Sequence, residues 1–213
     1  VAVLLAIGLG FAWVLLTGNL LIRDAVSPFD GGAAGRRALR QGFGASDGAA
    51  AVMLMPLVAV RLLWRRTPRE VLDGFVIGVV SSLMFTAAVT LTRLAPQFVT
   101  APVARNQPVG WLFFEAAVRG VTVPLTAACF GGLVGAGLWF TRARATSRLS
   151  RPVVVATLLA LSLAIFGAYA AVGRADVEGT SRLAVLSWHV AMAVLAILAL
   201  RVGLQVAVLH EAR

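Results

Sequence analysis

The chain has 213 residues, of which 60% are apolar and only 13% are charged, and its mean hydropathy is +0.90. Soluble globular domains carry roughly 45–50% apolar and about 25% charged residues, and a soluble core of this size cannot bury so much apolar side chain. The composition therefore excludes a soluble enzyme, a secreted disulfide scaffold and a disordered tail. It predicts an all-α, polytopic membrane helical bundle in contact with the lipid bilayer.

The net charge of +10 comes from 19 basic residues, and every one of them is arginine. The arginines lie between apolar runs, and no aromatic residues alternate with them in a basic stripe. This distribution is typical of loops at anionic lipid headgroups, so we predict no nucleic-acid partner. Arginine without lysine, in a chain rich in Ala, Val, Gly and Leu, also indicates a GC-rich bacterial genome.

Six apolar stretches are close to the roughly 20 residues that a membrane-spanning helix needs. The second stretch is the weakest, because it is short and contains Pro56 and Arg61. The chain begins at Val1 inside an apolar stretch and without methionine, so we expect residues upstream. We predict one transmembrane domain over residues 1–213, with spans at residues 1–22, 48–64, 74–92, 120–141, 153–173 and 183–200.

Arginine density sets the expected orientation of these spans. Two short connections on one side of the membrane are dense in arginine, which is typical of cytoplasmic loops. Six spans then leave both ends of the segment in the cytoplasm of a bacterium, with the chain in its inner membrane. Residues 27–48 and 96–110 are predicted as loops on the outer side, and residues 109–119 as an interfacial segment. The arginines of the two cytoplasmic connections are Arg65, Arg66 and Arg69, and Arg142, Arg144, Arg148 and Arg151.

Ionisable side chains are scarce inside the predicted spans, where such groups are costly and commonly functional. The sixth span contains His189, for which a hydrogen-bonded structural role and a catalytic or ligand role both remain open. One Cys and two well-separated His cannot form a zinc site, so we predict neither metal nor cofactor. The weak catalytic candidates are Asp47, Glu115 and His189, all toward the outer side.

Small residues recur at a spacing of four in the third and fourth spans. They are Gly74, Gly78 and Ser82 in the third span, and Gly131 and Gly135 in the fourth. Such faces let helix backbones approach closely in lipid. We expect the two spans to pack tightly, either against each other or against a partner.

The run from Arg69 to Val89 resembles the signature span of the PrsW-type intramembrane proteases. That family shows Asp-Gly, then a Gly four residues on, and then Phe-x-x-x-Glu; here Asp73-Gly74, Gly78 and Phe85 match in place. The run from Arg119 to Gly135 is similar to the family's segment with an Arg, a His, a Thr and closing glycines. The resemblance covers roughly residues 44–140.

Departures from the family's pattern fall on the residues that the resemblance assigns to catalysis. The paired glutamates of the family would fall near Asp47-Gly48, the Glu of Phe-x-x-x-Glu is Val89, and residues 121–126 contain no His. Peptide hydrolysis needs an activated water and an acid for the leaving amine, and valine supplies neither. The resemblance therefore implies a family scaffold without the family's chemistry.

Three functions remain open from the sequence. The first is a catalytically inactive, PrsW-like scaffold or binding subunit for another membrane protein. The second is a transporter or permease subunit, against which no span shows a broken midplane helix with inward polar groups. The third is an active hydrolase that uses Asp47, Glu115 and His189.

Overall fold

The computed structural model describes residues 1–26, 45–63, 70–99, 118–140, 151–177 and 182–211. These residues form six α-helices and one π-helical turn, and the all-α membrane bundle predicted from composition is confirmed. Long apolar runs give helices here because, within lipid, only a helix satisfies its own backbone hydrogen bonds. The helices are α1 (Ala2–Val26), α2 (Ala45–Leu63), α3 (Val71–Val99), α4 (Val123–Trp139), α5 (Arg151–Val177) and α6 (Arg182–Glu211), and the π turn (Val118–Thr122) directly precedes α4.

Four of the helices are long and apolar enough to cross a membrane: α3, α4, α5 and α6. The described apolar parts of α1 and α2 are shorter, Ala2–Thr17 and Ala49–Leu63. Two helices extend into segments that were predicted as loops. Helix α2 begins at Ala45, within the predicted loop 27–48, and α3 continues through Pro96 to Val99. Pro96 cannot donate the backbone hydrogen bond of a regular α-helix, so the last turn of α3 has one such bond fewer.

Helix α4 is the centre of the bundle. Two thirds of its span (67%) is buried, against 44% for α3, 28% for α6 and 17% for α5. Its most extensive interface is with α3, and it also packs on α5 and α6, whereas α1 packs on α3 and α2. Helices α5 and α6 therefore leave most of their surface to the bilayer.

Four glycines allow α3 and α4 to meet backbone to backbone. A Cβ atom on Gly74 would lie 2.6 Å from the carbonyl oxygen of Gly135, and one on Gly78 would lie 2.6 Å from the carbonyl carbon of Gly131. Real Cβ atoms do not approach other atoms so closely. Each step of four residues forward along α3 thus matches a step of four backward along α4, which makes the two helices antiparallel.

Hydroxyl side chains on α3 mostly bond within their own helix. The Oγ1 atoms of Thr86 and Thr92 donate to the carbonyl oxygens of Ser82 and Ala88, each at 2.7 Å. Such bonds to the preceding turn compete with a polar seam. Ser81 is buried, and its Oγ has no hydrogen-bond partner among the described residues; the structure offers no explanation for it.

Candidate functional site

A cavity of about 340 Å³ lies between five of the helices. Its wall is largely aliphatic and aromatic. Residues of α1, α2, α3, α4 and α5 form this wall. The described lining residues are Trp13, Ala49, Ala50, Met53, Phe85, Thr86, Val89, Val123, Thr126, Ala127, Phe130, Phe166 and Tyr169.

The start of α4 forms part of the cavity wall. Pro124 is the second residue of α4 and has no backbone N–H, so a regular α-helical bond to Gly120 is impossible there. The chain instead makes a wider π turn over Val118–Thr122 before α4 begins. The Oγ1 of Thr126 donates to the carbonyl oxygens of Thr122 at 2.8 Å and Val123 at 3.0 Å, which ties the turn to the helix.

Two aromatic rings stabilise the wall between α4 and α5. Phe130 and Phe166 pack with their ring centroids 5.3 Å apart and their planes tilted by 39°. Nearby, the Oγ of Ser162 donates across the same helix pair to the carbonyl oxygen of Phe130 at 3.3 Å. The ring contact and the hydrogen bond together hold α5 against α4 beside the cavity.

The opposite end of the bundle is held by Arg61. Its Nε donates to the carbonyl oxygen of Leu138 at 3.2 Å, and its guanidinium carbon lies 5.4 Å from the centre of the Trp139 ring. Arginine binds well here because the last carbonyls of a helix carry partial negative charge and an indole face attracts cations. The helix ends that flank the arginine-rich segments 64–69 and 141–150 also lie at this Arg61 end.

Three segments that the family resemblance singled out meet at the cavity. Phe85 and Val89, the two ends of the altered Phe-x-x-x-Glu motif, both line it. Thr126 and Val123 come from the stretch in which the family's His would fall. Ala49 follows the Asp47-Gly48 pair, where the family's glutamates would fall. Sequence segments far apart in the chain therefore form one site.

The chemistry of this wall is limited. None of the described lining residues carries a carboxyl, imidazole, thiol or guanidinium group. The hydroxyl protons of Thr86 and Thr126 are both used in hydrogen bonds to backbone carbonyls. Apart from the phenol of Tyr169, the described wall thus offers no general acid or base for hydrolysis, and it is largely apolar.

Of the three weak catalytic candidates, the structure describes the side chain of His189 alone. Asp47 lies in the first turn of α2, two residues before Ala49, and its side chain is outside the described residues. Glu115 also lies outside them. His189 is buried in α6, with 6% of its surface exposed, and it is not among the described lining residues.

The other predicted residues fall at helix contacts or outside the described structure. Gly74, Gly78, Gly131 and Gly135 contact each other's backbones across α3 and α4, and Ser82 contacts Gly131. Their surfaces are therefore covered within the chain. Arg151 is the first residue of α5. The remaining arginines of the predicted cytoplasmic connections, which are Arg65, Arg66, Arg69, Arg142, Arg144 and Arg148, lie outside the described residues.

The aromatic residues of the cavity wall were not predicted from the sequence. Trp13, Phe130, Phe166 and Tyr169 come from three spans and carry no motif in common. An aromatic residue in an apolar span is ordinary, so nothing in the sequence distinguishes these from lipid-facing side chains. The signal that was available is the altered motif at Phe85 and Val89.

Comparison with protein-family profiles identifies the family of the chain. The sequence profile of the PrsW family intramembrane metalloprotease matches residues 2–200, which is nearly the whole chain. No curated protein and no solved structure matches the chain. The match extends beyond the motif-bearing segments to α1, α5 and most of α6. The chain therefore belongs to the PrsW family of intramembrane metalloproteases.

Proposed function

We propose that this chain is a non-hydrolytic member of the PrsW family that acts as a scaffold or binding subunit for another membrane protein. The observation that carries the proposal is the cavity itself. Three family segments still converge on it, yet its described wall is built from alanine, valine, methionine, threonine and aromatic residues. A retained cavity without carboxyl or imidazole groups in its described wall supports binding rather than bond cleavage.

A metalloprotease family implies a bound metal, but the metal-ligating side chains among the described residues do not form a site for one. The described residues contain no group of three or more His, Cys, Asp or Glu side chains close enough to hold an ion. Catalytic zinc sites use three such ligands. At the cavity, Val89 stands where the family has a glutamate, and a valine side chain has no donor atom. We derive no step through a metal.

The partner in this proposal is a membrane protein, because the chain itself lies in the bilayer. The glycine faces of α3 and α4 are already covered by each other, so a partner binds elsewhere. Helix α5, whose span is only 17% buried, offers the most uncovered surface. The proposal places the Arg61 end and both ends of the segment on the cytoplasmic side of a bacterial inner membrane, since dense arginine favours that side.

A cleavage assay tests the absence of hydrolysis. The full chain is reconstituted into vesicles with a single-span membrane protein tagged at both ends, and fragments are detected by mass spectrometry. A family member that retains Phe-x-x-x-Glu is the positive control. We expect no fragments from the wild type or from Val89→Glu, because one carboxylate does not replace the full catalytic set. Bound metal, measured by elemental analysis, should stay far below one ion per chain.

Fragments from the wild type would refute the proposal. If they disappeared in Asp47→Ala, the hydrolase reading would be correct and Asp47 would be its acid or base. The binding role is tested separately, by crosslinking in native membranes and purification in mild detergent. A membrane protein recovered at a fixed ratio supports the subunit role, and a chain recovered alone contradicts it. Solute flux through vesicles of the isolated chain would instead indicate a transporter.

A further inference from the structure

We propose that the cavity binds the hydrocarbon chain of a membrane lipid, with the lipid headgroup remaining outside. This inference rests on the proposed function, because it assigns a ligand to the cavity in which a protease would cleave its substrate. The size of the cavity, the lack of an extensive interface between the described parts of α1 and α5, and the chemistry of the wall support it.

The volume of the cavity limits the size of its occupant. At about 340 Å³, the cavity lies at the small end of the roughly 300–1,000 Å³ range of ligand pockets. That volume suits one slender apolar ligand, such as a single acyl chain.

The arrangement of helices leaves an entrance from the bilayer. Trp13 of α1 and Phe166 and Tyr169 of α5 all line the cavity. Among the described residues, α5 packs extensively on α4 and α6 only, and α1 packs on α2 and α3. These residues therefore form no extensive interface between α1 and α5. Both helices face the bilayer, whose interior consists mainly of lipid acyl chains, so an acyl chain can enter the cavity laterally between them.

The polarity of the wall selects the hydrocarbon rather than the headgroup. The rings of Phe85, Phe130 and Phe166 provide apolar surface. Thr86 and Thr126 already donate their hydroxyl protons to backbone carbonyls, so they offer a phosphate or carboxylate no hydrogen bond. The remaining donors of the described wall, on Trp13 and Tyr169, are neutral, so an anion there has no positive charge beside it and is disfavoured. Each buried methylene, in contrast, favours binding.

Photocrosslinking with a lipid probe tests the inference. The full chain is reconstituted into vesicles of phosphatidylcholine and phosphatidylglycerol that contain a phosphatidylcholine with a diazirine at the end of one acyl chain. Adducts are mapped by mass spectrometry. Phe85 and Phe130 are only 4% and 6% exposed, so lipid outside the protein does not reach them. We expect adducts at both, alongside those at the exposed Leu195 of α6, which is 51% exposed.

A cavity-filling variant and a matched control complete the test. Ala50→Phe places a ring in the cavity, and adducts at Phe85 and Phe130 should fall about tenfold relative to Leu195, because excluding two methylenes alone has that effect. Ala164→Phe adds the same ring on the exposed side of α5 and should change nothing. Ala50→Leu serves if Ala50→Phe does not fold.

Two results would overturn the inference: no adducts at Phe85 and Phe130 in the folded wild type, or adducts that persist in the filled variants. The vesicles contain no partner protein and no substrate, so this test is separate from those of the proposed function. A chain that cleaved a substrate and also bound lipid would refute only the proposed function. A chain that neither cleaved nor bound lipid would refute only the inference.

Discussion

Replacing Gly78 with alanine tests the backbone contact on which the bundle is built. The new Cβ would overlap the carbonyl oxygen of Gly131 and lie 2.6 Å from its carbonyl carbon, whereas ordinary contacts begin near 3.4 Å. The opposing atoms belong to the backbone of α4, which cannot turn aside as a side chain does. Helices α3 and α4 must therefore separate locally by more than about 0.8 Å, the difference between the two carbon–carbon distances.

The cost of this separation follows from lost dispersion. A gap of about 0.5–1 Å removes a quarter to a half of each atomic attraction, and overpacking of this kind typically costs about 1–3 kcal/mol. Alanine also has a better helix propensity than glycine, by about 1 kcal/mol. We take the upper half of the overpacking range for a backbone clash, so Gly78→Ala should lower the free energy of unfolding by about 1–2 kcal/mol. For a chain of this length that lowers Tm by about 2–8 °C.

The only cysteine of the chain provides the assay. Cys129 lies in α4, two residues from Gly131, and its side chain is fully buried. A dye that fluoresces on reaction with a thiol therefore reports when this part of the bundle opens. Heating the purified protein in mild detergent with the dye gives one transition, whose midpoint is compared between variants.

Two glycines are matched controls. A Cβ on Gly137, in the same helix, would have its nearest neighbours at 4.0 Å, and one on Gly167 of α5 would have none within 4 Å. Both alanine variants should keep the wild-type Tm or raise it slightly. The reasoning would be wrong if Gly78→Ala had a Tm as high as Gly137→Ala.

Two further predictions concern contacts between helices. Arg61→Ala removes the ring contact with Trp139 and the hydrogen bond to α4, and it should lower Tm by about 2–4 °C, equivalent to about 1 kcal/mol. Arg61→Lys should recover less than half of that loss, because lysine lacks the planar guanidinium. Full recovery of Tm in Arg61→Lys would contradict this account. Ser162→Ala removes the hydrogen bond to Phe130, worth about 0.6 kcal/mol between membrane helices, so Tm should fall by about 1–2 °C. Thr157→Ala, which loses only a bond within α5, should leave Tm unchanged, and equal effects of the two would show that the bond to Phe130 contributes nothing.

The membrane architecture of this protein could be predicted from the sequence because it depends on local composition. An apolar run long enough to cross the bilayer must form a helix wherever its neighbours lie. The valine at position 89, where the resemblance expects a glutamate, is likewise read directly from the sequence. The small size of Gly74 and Gly78 is read in the same way, although the sequence left open whether these glycines pack on α4 or on another protein.

The cavity could not be predicted, because it is made by residues that are distant in the chain. Phe85, Thr126 and Phe166 lie in three helices, and only their packing shows that they share one space. The same holds for His189, which the sequence put near a membrane surface and the structure buries against its neighbours.

The sequence by itself determined that this chain is a helical membrane protein with segments that resemble the PrsW proteases, since hydropathy and residue identity are properties of single positions and short runs. Only the tertiary structure decided that those segments meet in one largely apolar cavity and that the glycine faces cover each other. Those facts depend on how α3 and α4 cross and on where α1 and α5 stand beside them. Such arrangements arise from the packing of the whole bundle, which no single segment encodes.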